Sequence, residues 1–162
     1  MNAWTGIPED FEPSENDHGF VYLMTIKNPD TEKLNYYIGI KKFRKRIKRA
    51  PLKGFKRKRI CYVDSKWRDY TSSSESLNKW LELGIPVERE ILRIVESQWE
   101  LNYFENLYIM NSHSVFRDDF LNGFAGFRQN KPPKALQKKF EEGSIDFTLP
   151  DRIKELAAGF IG

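Results

Sequence analysis

Two tyrosines, one glutamate and a run of cations are the side chains with the most chemistry to offer. Tyr22 stands in Phe20-Val21-Tyr22-Leu23 and Tyr37 in Tyr36-Tyr37-Ile38-Gly39. Phenols on two paired strands converge only if register puts them on one face. There they could hold a water or a phosphate oxygen. Tyrosine also fits any pleated, half-buried surface, and on pattern alone both rings read more readily as core. Glu105 lies in LNYFENLYI, where Leu101, Tyr108 and Ile109 mark an apolar helical stripe around it. A carboxylate buried in such a stripe is costly unless it is paired or bound to a metal. A rim position reaching water is the other reading.

The cations are concentrated. Residues 41–59 hold twelve Lys/Arg and no acid, which leaves 15 basic against 23 acidic residues elsewhere. The net charge of +4 hides that asymmetry. A one-signed block repels itself and needs a counter-charge, and a polyphosphate supplies one. Lys41, Lys42, Arg44, Arg49, Lys56, Arg57, Lys58 and Arg59 are therefore candidate nucleic-acid contacts, together with Arg46. Phe43, Phe55, Trp67 and Tyr70 lie nearby, and Trp67 is a candidate for stacking on a base.

Other chemistries lack their parts. His18 and His113 have no partner at ligand spacing, and no serine has a convincing histidine base. The ten glycines are scattered, with no phosphate-cradling loop. The single cysteine, Cys61, leaves neither a disulfide nor a cysteine-cluster zinc site, which matches a reducing cytoplasm. No run approaches the ~20 apolar residues that cross a bilayer. The acidic, polar N-terminus lacks the pattern of a signal peptide.

The elements that must position these groups follow from periodicity. Residues 1–18 read as an irregular arm, on the domain or loose. Residues 19–26 and 35–40 read as a hairpin around the turn Asn28-Pro29-Asp30. Phe43, Ile47 and Ala50 predict a short basic helix ended by Pro51. Ile60–Val63 reads as extended and 64–70 as a loop. A helix capped by Ser72 or Ser73 runs to Gly84. A third strand spans Val87–Val95 and a helix spans Gln98 to about Met110. Residues 111–130 read as loop, and Pro132-Pro133 as a linker before helical stretches at 134–142 and 151–158. The domain plan is an arm (1–18), a main domain (19–130) with its basic insert, and a short helical extension (131–162). The class is α+β, a small sheet with helices packed on it.

Together these features resemble the GIY-YIG nuclease family. The first motif stands as Phe20-Val21-Tyr22, degenerate except for its tyrosine, and the second is intact as Tyr37-Ile38-Gly39. The family glutamate matches Glu105, and the asparagine after it matches Asn122 in FLNGF. SKWRDYTSSSESLNKWLELG, the following EIL-type strand, Ile-Gly-Ile-Lys-Lys and the basic insert look like the phage Seg-like homing endonucleases. The resemblance spans residues 19–128. It implies a three-stranded antiparallel sheet flanked by helices, and metal-dependent hydrolysis of a DNA phosphodiester. It further implies that Tyr37 or Tyr22 orients or deprotonates the attacking water. Glu105 would hold one divalent ion, Mg²⁺ or Mn²⁺. An arginine on the helix after the second motif would clamp the phosphate. Arg46 is the nearest match, with Arg44 and Arg49 as rivals. Asn122 would position Glu105 or the substrate. The family histidine has no counterpart between His18 and His113, and Lys42 is the candidate replacement. An alternative from another class is a catalytically inactive nuclease-fold module that binds DNA or RNA. A ribonuclease using the same residues is a third.

Overall fold

The computed structural model describes residues 2–123 and 129–161. In chain order the elements are β1 (Trp4–Thr5), β2 (Gly19–Lys27), β3 (Leu34–Lys42), β4 (Arg44–Arg49), β5 (Arg59–Asp64), α1 (Glu75–Glu82), β6 (Val87–Val95), α2 (Gln98–Asn111), α3 (Lys134–Glu141) and α4 (Asp151–Ile161).

β2 is the axis. It pairs antiparallel with β3 on one side and β6 on the other, and all but its last residue is buried. Burial on both faces explains why GFVYLMTI is nearly continuous apolar sequence rather than a clean alternation. Val21 and Leu23 face α2 and α4, packing with Ile38, Leu101, Phe104, Tyr108, Ile153 and Leu156. Phe20, Tyr22, Met24 and Ile26 face the other way, into Trp4, Phe43, Trp67, Leu77 and Ile91. A bulge in β6 between the partners of Val21 and Tyr22 rephases that strand. Arg89 and Ile91 thus share the Tyr22 face, while the Arg93 guanidinium covers the Phe104 ring at 3.7 Å.

The class is α+β, but the sheet is four-stranded and mixed rather than three-stranded and antiparallel. Its order is β1-β6-β2-β3, with β1 parallel to β6. The extra strand follows from Trp4. Its ring is 9 % exposed, its Nε1–H donates to the Trp67 carbonyl at 3.1 Å, and the Arg89 guanidinium lies 4.6 Å above it. Burying that indole draws Trp4–Thr5 alongside β6, and Phe11 follows it onto Phe43 and Trp67.

The basic block is not a helix. β4 and β5 form a separate antiparallel ribbon, with Ile47 opposite Cys61 and Arg46 opposite Tyr62. A helix would have stacked Arg44 on Lys48 and Lys45 on Arg49, like charges at i,i+4. The ribbon alternates them across two faces and sets Ile60, Tyr62 and Val63 beside them.

The helix caps follow side-chain geometry. Ser74 caps α1, accepting from the Leu77 N–H at 3.4 Å, rather than Ser72 or Ser73; the Ser72 hydroxyl accepts from the Ser74 N–H at 2.8 Å. Ser97 caps α2: its hydroxyl accepts from the Glu100 N–H at 3.2 Å and donates to the Glu100 carboxylate at 2.7 Å. Asp119–Asn122, within the stretch read as loop, lies along the free edge of β3. Tyr36 N–H donates to the Asp119 carbonyl and Leu121 N–H to that of Tyr36, both at 2.8 Å. α4 packs on the core through Ile153 and Leu156.

Candidate active site

Register decides whether the two tyrosines meet. Tyr22 sits opposite Gly39, and Tyr37 opposite Met24, so both rings fall on the α1 face of the sheet. Their centroids are 6.2 Å apart. Gly39 makes this arrangement fit, because a Cβ there would strike the Tyr22 hydroxyl and crowd the Tyr37 ring. The glycine of the second motif is thus space held open for the tyrosine of the first.

The two phenols are not equivalent. The Tyr22 hydroxyl is buried with no hydrogen-bond partner among the described residues. Desolvation, and then the neighbouring Tyr70 and Tyr37, push it well above the ordinary tyrosine range. It keeps its proton and can only donate or accept as a neutral group. Tyr37 is half-buried, and its hydroxyl shares a 2.8 Å hydrogen bond with Ser73 Oγ. Burial raises it as well.

Glu105 stands on α2, which packs against the opposite face of the sheet from the two rings. Its negative charge acts on both phenols and helps raise them. Desolvation lifts Glu105 itself to about 7, and it has neither hydrogen-bond nor ion-pair partner among the described residues. A desolvated carboxylate without a counter-charge is a place for a cation. No cluster of three or more potential metal-ligating side chains surrounds it among the described residues. The donor set therefore fits an ion held by one carboxylate, waters and substrate oxygens, which is the habit of Mg²⁺.

Tyr70 closes the constellation, although the sequence offered it only as an aromatic near the basic block. Its ring meets that of Tyr22 edge-on at 5.9 Å, and the Lys41 ammonium lies 4.3 Å from its centroid. Buried Arg89 fixes the loop that carries it, donating to the carbonyls of Arg68 (2.8 Å), Tyr70 (2.9 Å) and Asn2 (2.7 and 2.9 Å). One signal was present in the sequence. Arg89 stands in phase with Val87 and Ile91, where a strand with one buried face should carry an apolar residue.

Beside this cluster runs a groove of ≈ 710 Å³, lined by Lys41, Lys42, Arg44, Lys45 and Arg46 and also by Glu15, Asp17 and Glu96, with Tyr62 and Tyr70 over Ile40 and Leu101. Arg44 is already engaged, donating to the carbonyls of Asp17 and Ser14 at 2.9 Å and so tying the arm down. Arg49 lies outside the groove lining. Arg46 lines it, exposed, with no hydrogen bond or ion pair among the described residues, and it stands on a strand where the resemblance implied a helix. Of the two lysines after the second motif, Lys41 shares the tyrosine face, while Lys42 pairs with Gly19 on the other phase of β3.

Two expected roles change. Trp67 is 1 % exposed and packed among Phe20, Phe43 and Phe11, so its ring cannot stack on a base. Asn122 commits its whole amide to the backbone of Ile38. Its Oδ1 accepts at 3.0 Å and its Nδ2 donates at 2.8 Å, in the manner of an added strand residue. It fixes β3 between Tyr37 and Gly39 rather than holding Glu105. Lys56, Arg57, Lys58 and Arg59 are exposed at and beyond the ribbon tip.

A mixed α+β sheet with two phenols on one face and a groove of five cations and three acids beside them is compatible with a nuclease domain. The chain belongs to the GIY-YIG nuclease family: the family model described as "Putative endonuclease segE, GIY-YIG domain" matches residues 4–128. That match begins inside the N-terminal arm, where Trp4 enters the sheet. No curated protein and no solved structure matches the chain. Among the described residues, no helix is long and apolar enough to cross a membrane.

Proposed function

We propose that the chain is a DNA endonuclease of the Seg-like homing type, hydrolysing a phosphodiester with one divalent ion, Mg²⁺ or Mn²⁺, at Glu105. The observation that carries this reading is the register that sets Tyr22 and Tyr37 on one face with Gly39 leaving room for both rings, in a chain whose Glu105 carboxylate has no counter-charge among the described residues.

Each residue then has a task set by its surroundings. Glu105 would hold the ion, a single carboxylate being enough for a cation that otherwise takes water and substrate oxygens. The bound ion supplies Lewis-acid stabilisation of the charge on the phosphoryl and leaving oxygens. Tyr37, the more open phenol, orients the attacking water, and Ser73 sets the direction of its hydroxyl. Tyr22 remains protonated and, with its hydroxyl buried, backs the Tyr37 ring and sets its position instead of meeting the substrate. Arg46 and Lys41 neutralise the phosphate from the groove side, and Arg46 can grip two oxygens at once. Asn122 and Arg89 are positioning residues, acting through β3 and through the Tyr70 loop.

Plasmid DNA with Mg²⁺ tests the proposal. The parent should cut it, EDTA should stop cutting, and Glu105→Ala should bind without cutting. Tight binding by the parent with no cutting of any DNA or RNA would instead assign the chain to the inactive binding modules.

A further inference from the structure

The ribbon tip carries something that phosphate binding does not use. Leu52 and Phe55 are 53 % and 70 % exposed, in the middle of a segment that is otherwise cationic. They are placed together by a turn. Phe55 N–H donates to the Leu52 carbonyl at 2.9 Å, and Gly54 takes φ +89°, as the third residue of such a turn requires. Two large apolar side chains are thus held side by side at the end of an arm. β4 and β5 make their extensive contacts only with each other, so the arm projects from the domain. Six residues per strand at about 3.3 Å each carry the tip roughly 20 Å from the sheet.

Other large apolar side chains of this chain are as exposed, but these two are paired by a turn inside a one-signed cationic segment, and that surrounding charge says what the pair would meet. No acid lies anywhere in residues 41–59, against twelve cations. A second copy of the chain would bring a second set of twelve, so self-association through this tip is opposed. A polyanion is drawn to it, and duplex DNA offers both the charge and an apolar interior between stacked bases. Apolar wedges flanked by cations open base steps and kink the duplex.

We propose that Leu52 and Phe55 form a wedge that enters a base step of duplex DNA and bends it, while the flanking lysines and arginines hold the phosphates on either side. The proposal rests on the nucleic-acid reading above and adds a mode of binding to it. It also gives a source of site preference that needs no base-edge hydrogen bonds, because pyrimidine–purine steps kink most easily.

The test uses the full chain and a short duplex with fluorophores at its ends, in EDTA so that nothing is cut. The parent should shorten the end-to-end distance, and 2-aminopurine near the kink should brighten. Leu52→Ser with Phe55→Ser should bind within about threefold of the parent, since phosphate contacts dominate affinity, yet leave the duplex straight. Phe55→Trp should keep the bend. A parent that binds straight DNA overturns the wedge, as does a double-serine variant that bends DNA equally. Cleavage of plasmid DNA by a parent that never bends it overturns the wedge and leaves the nuclease reading standing. Absence of any DNA binding overturns both.

Discussion

The tyrosine site and the basic ribbon are neighbours built on opposite principles. Tyr22, Gly39 and Arg89 sit in a close-packed interior, where each position is dictated by a neighbour a long way off in the chain. The ribbon carries twelve cations with its upstream strand end, and its fold leans on little beyond its own hydrogen bonds. Burial places groups to within the tolerance chemistry needs, because a packed interior resists a displaced atom. Exposure keeps charge available for a ligand, at the cost of long-range order. Damage to the first region should therefore cost catalysis and stability, and damage to the second, Arg46 apart, should cost binding alone.

The largest effect should come from Glu105. On the proposed reading, glutamine there removes the carboxylate that would hold the ion and should lower the cleavage rate about 10³-fold or more, as single-turnover kinetics would show. Next is Gly39→Ala, where the new methyl meets the Tyr22 ring with no room to move. Overpacking of that kind costs about 1–3 kcal/mol, measurable by urea unfolding. Pairing it with Tyr22→Phe should recover part of the loss, because the clashing hydroxyl is gone.

A smaller effect concerns pH. Folded Glu105 keeps its proton up to about 7, whereas an unfolded glutamate loses it near ~4.3. Between those values the folded chain binds more protons, so stability falls as pH rises through the window. Glu105→Gln should flatten that fall, by about 1–2 kcal/mol once its partial contact with water is allowed for. Cleavage should move the opposite way and rise through pH 7, since the ion needs the ionised carboxylate. Smallest in stability is Lys48→Glu on the ribbon, within about 0.5 kcal/mol of the parent by thermal or urea unfolding. Its DNA affinity should fall, and the salt slope should drop by about 0.9 for each phosphate that is no longer neutralised.

Much of the first region was legible in the sequence because local pattern and tertiary role agree there. The apolar run of β2, the turn at Asn28–Asp30 and the stripe on α2 each encode their own element. The contact between Tyr22 and Gly39 was not legible as geometry, since it depends on cross-strand register. β1 was missed because two residues have no periodicity, and only the burial of Trp4 defines that strand. Trp67 was misplaced for a related reason. A tryptophan between charged neighbours in a loop looks exposed, and its cover comes from Phe11, Phe20 and Phe43. The ribbon was misread because Phe43, Ile47 and Ala50 fit a helical stripe, while the repulsion among the intervening cations has no period to read. Asn122 stood out as a motif residue, but its use as a surrogate strand residue depends on a chain reversal the sequence does not mark.

The division between the two regions is tested most directly by one paired measurement on Glu105→Gln, its affinity for duplex DNA and its single-turnover cleavage rate in Mg²⁺. Affinity should stay within about threefold of the parent, since the ribbon's phosphate contacts are untouched, while cleavage is abolished. Cleavage that survives the substitution would contradict the division, and so would a loss of affinity equal to the loss of rate.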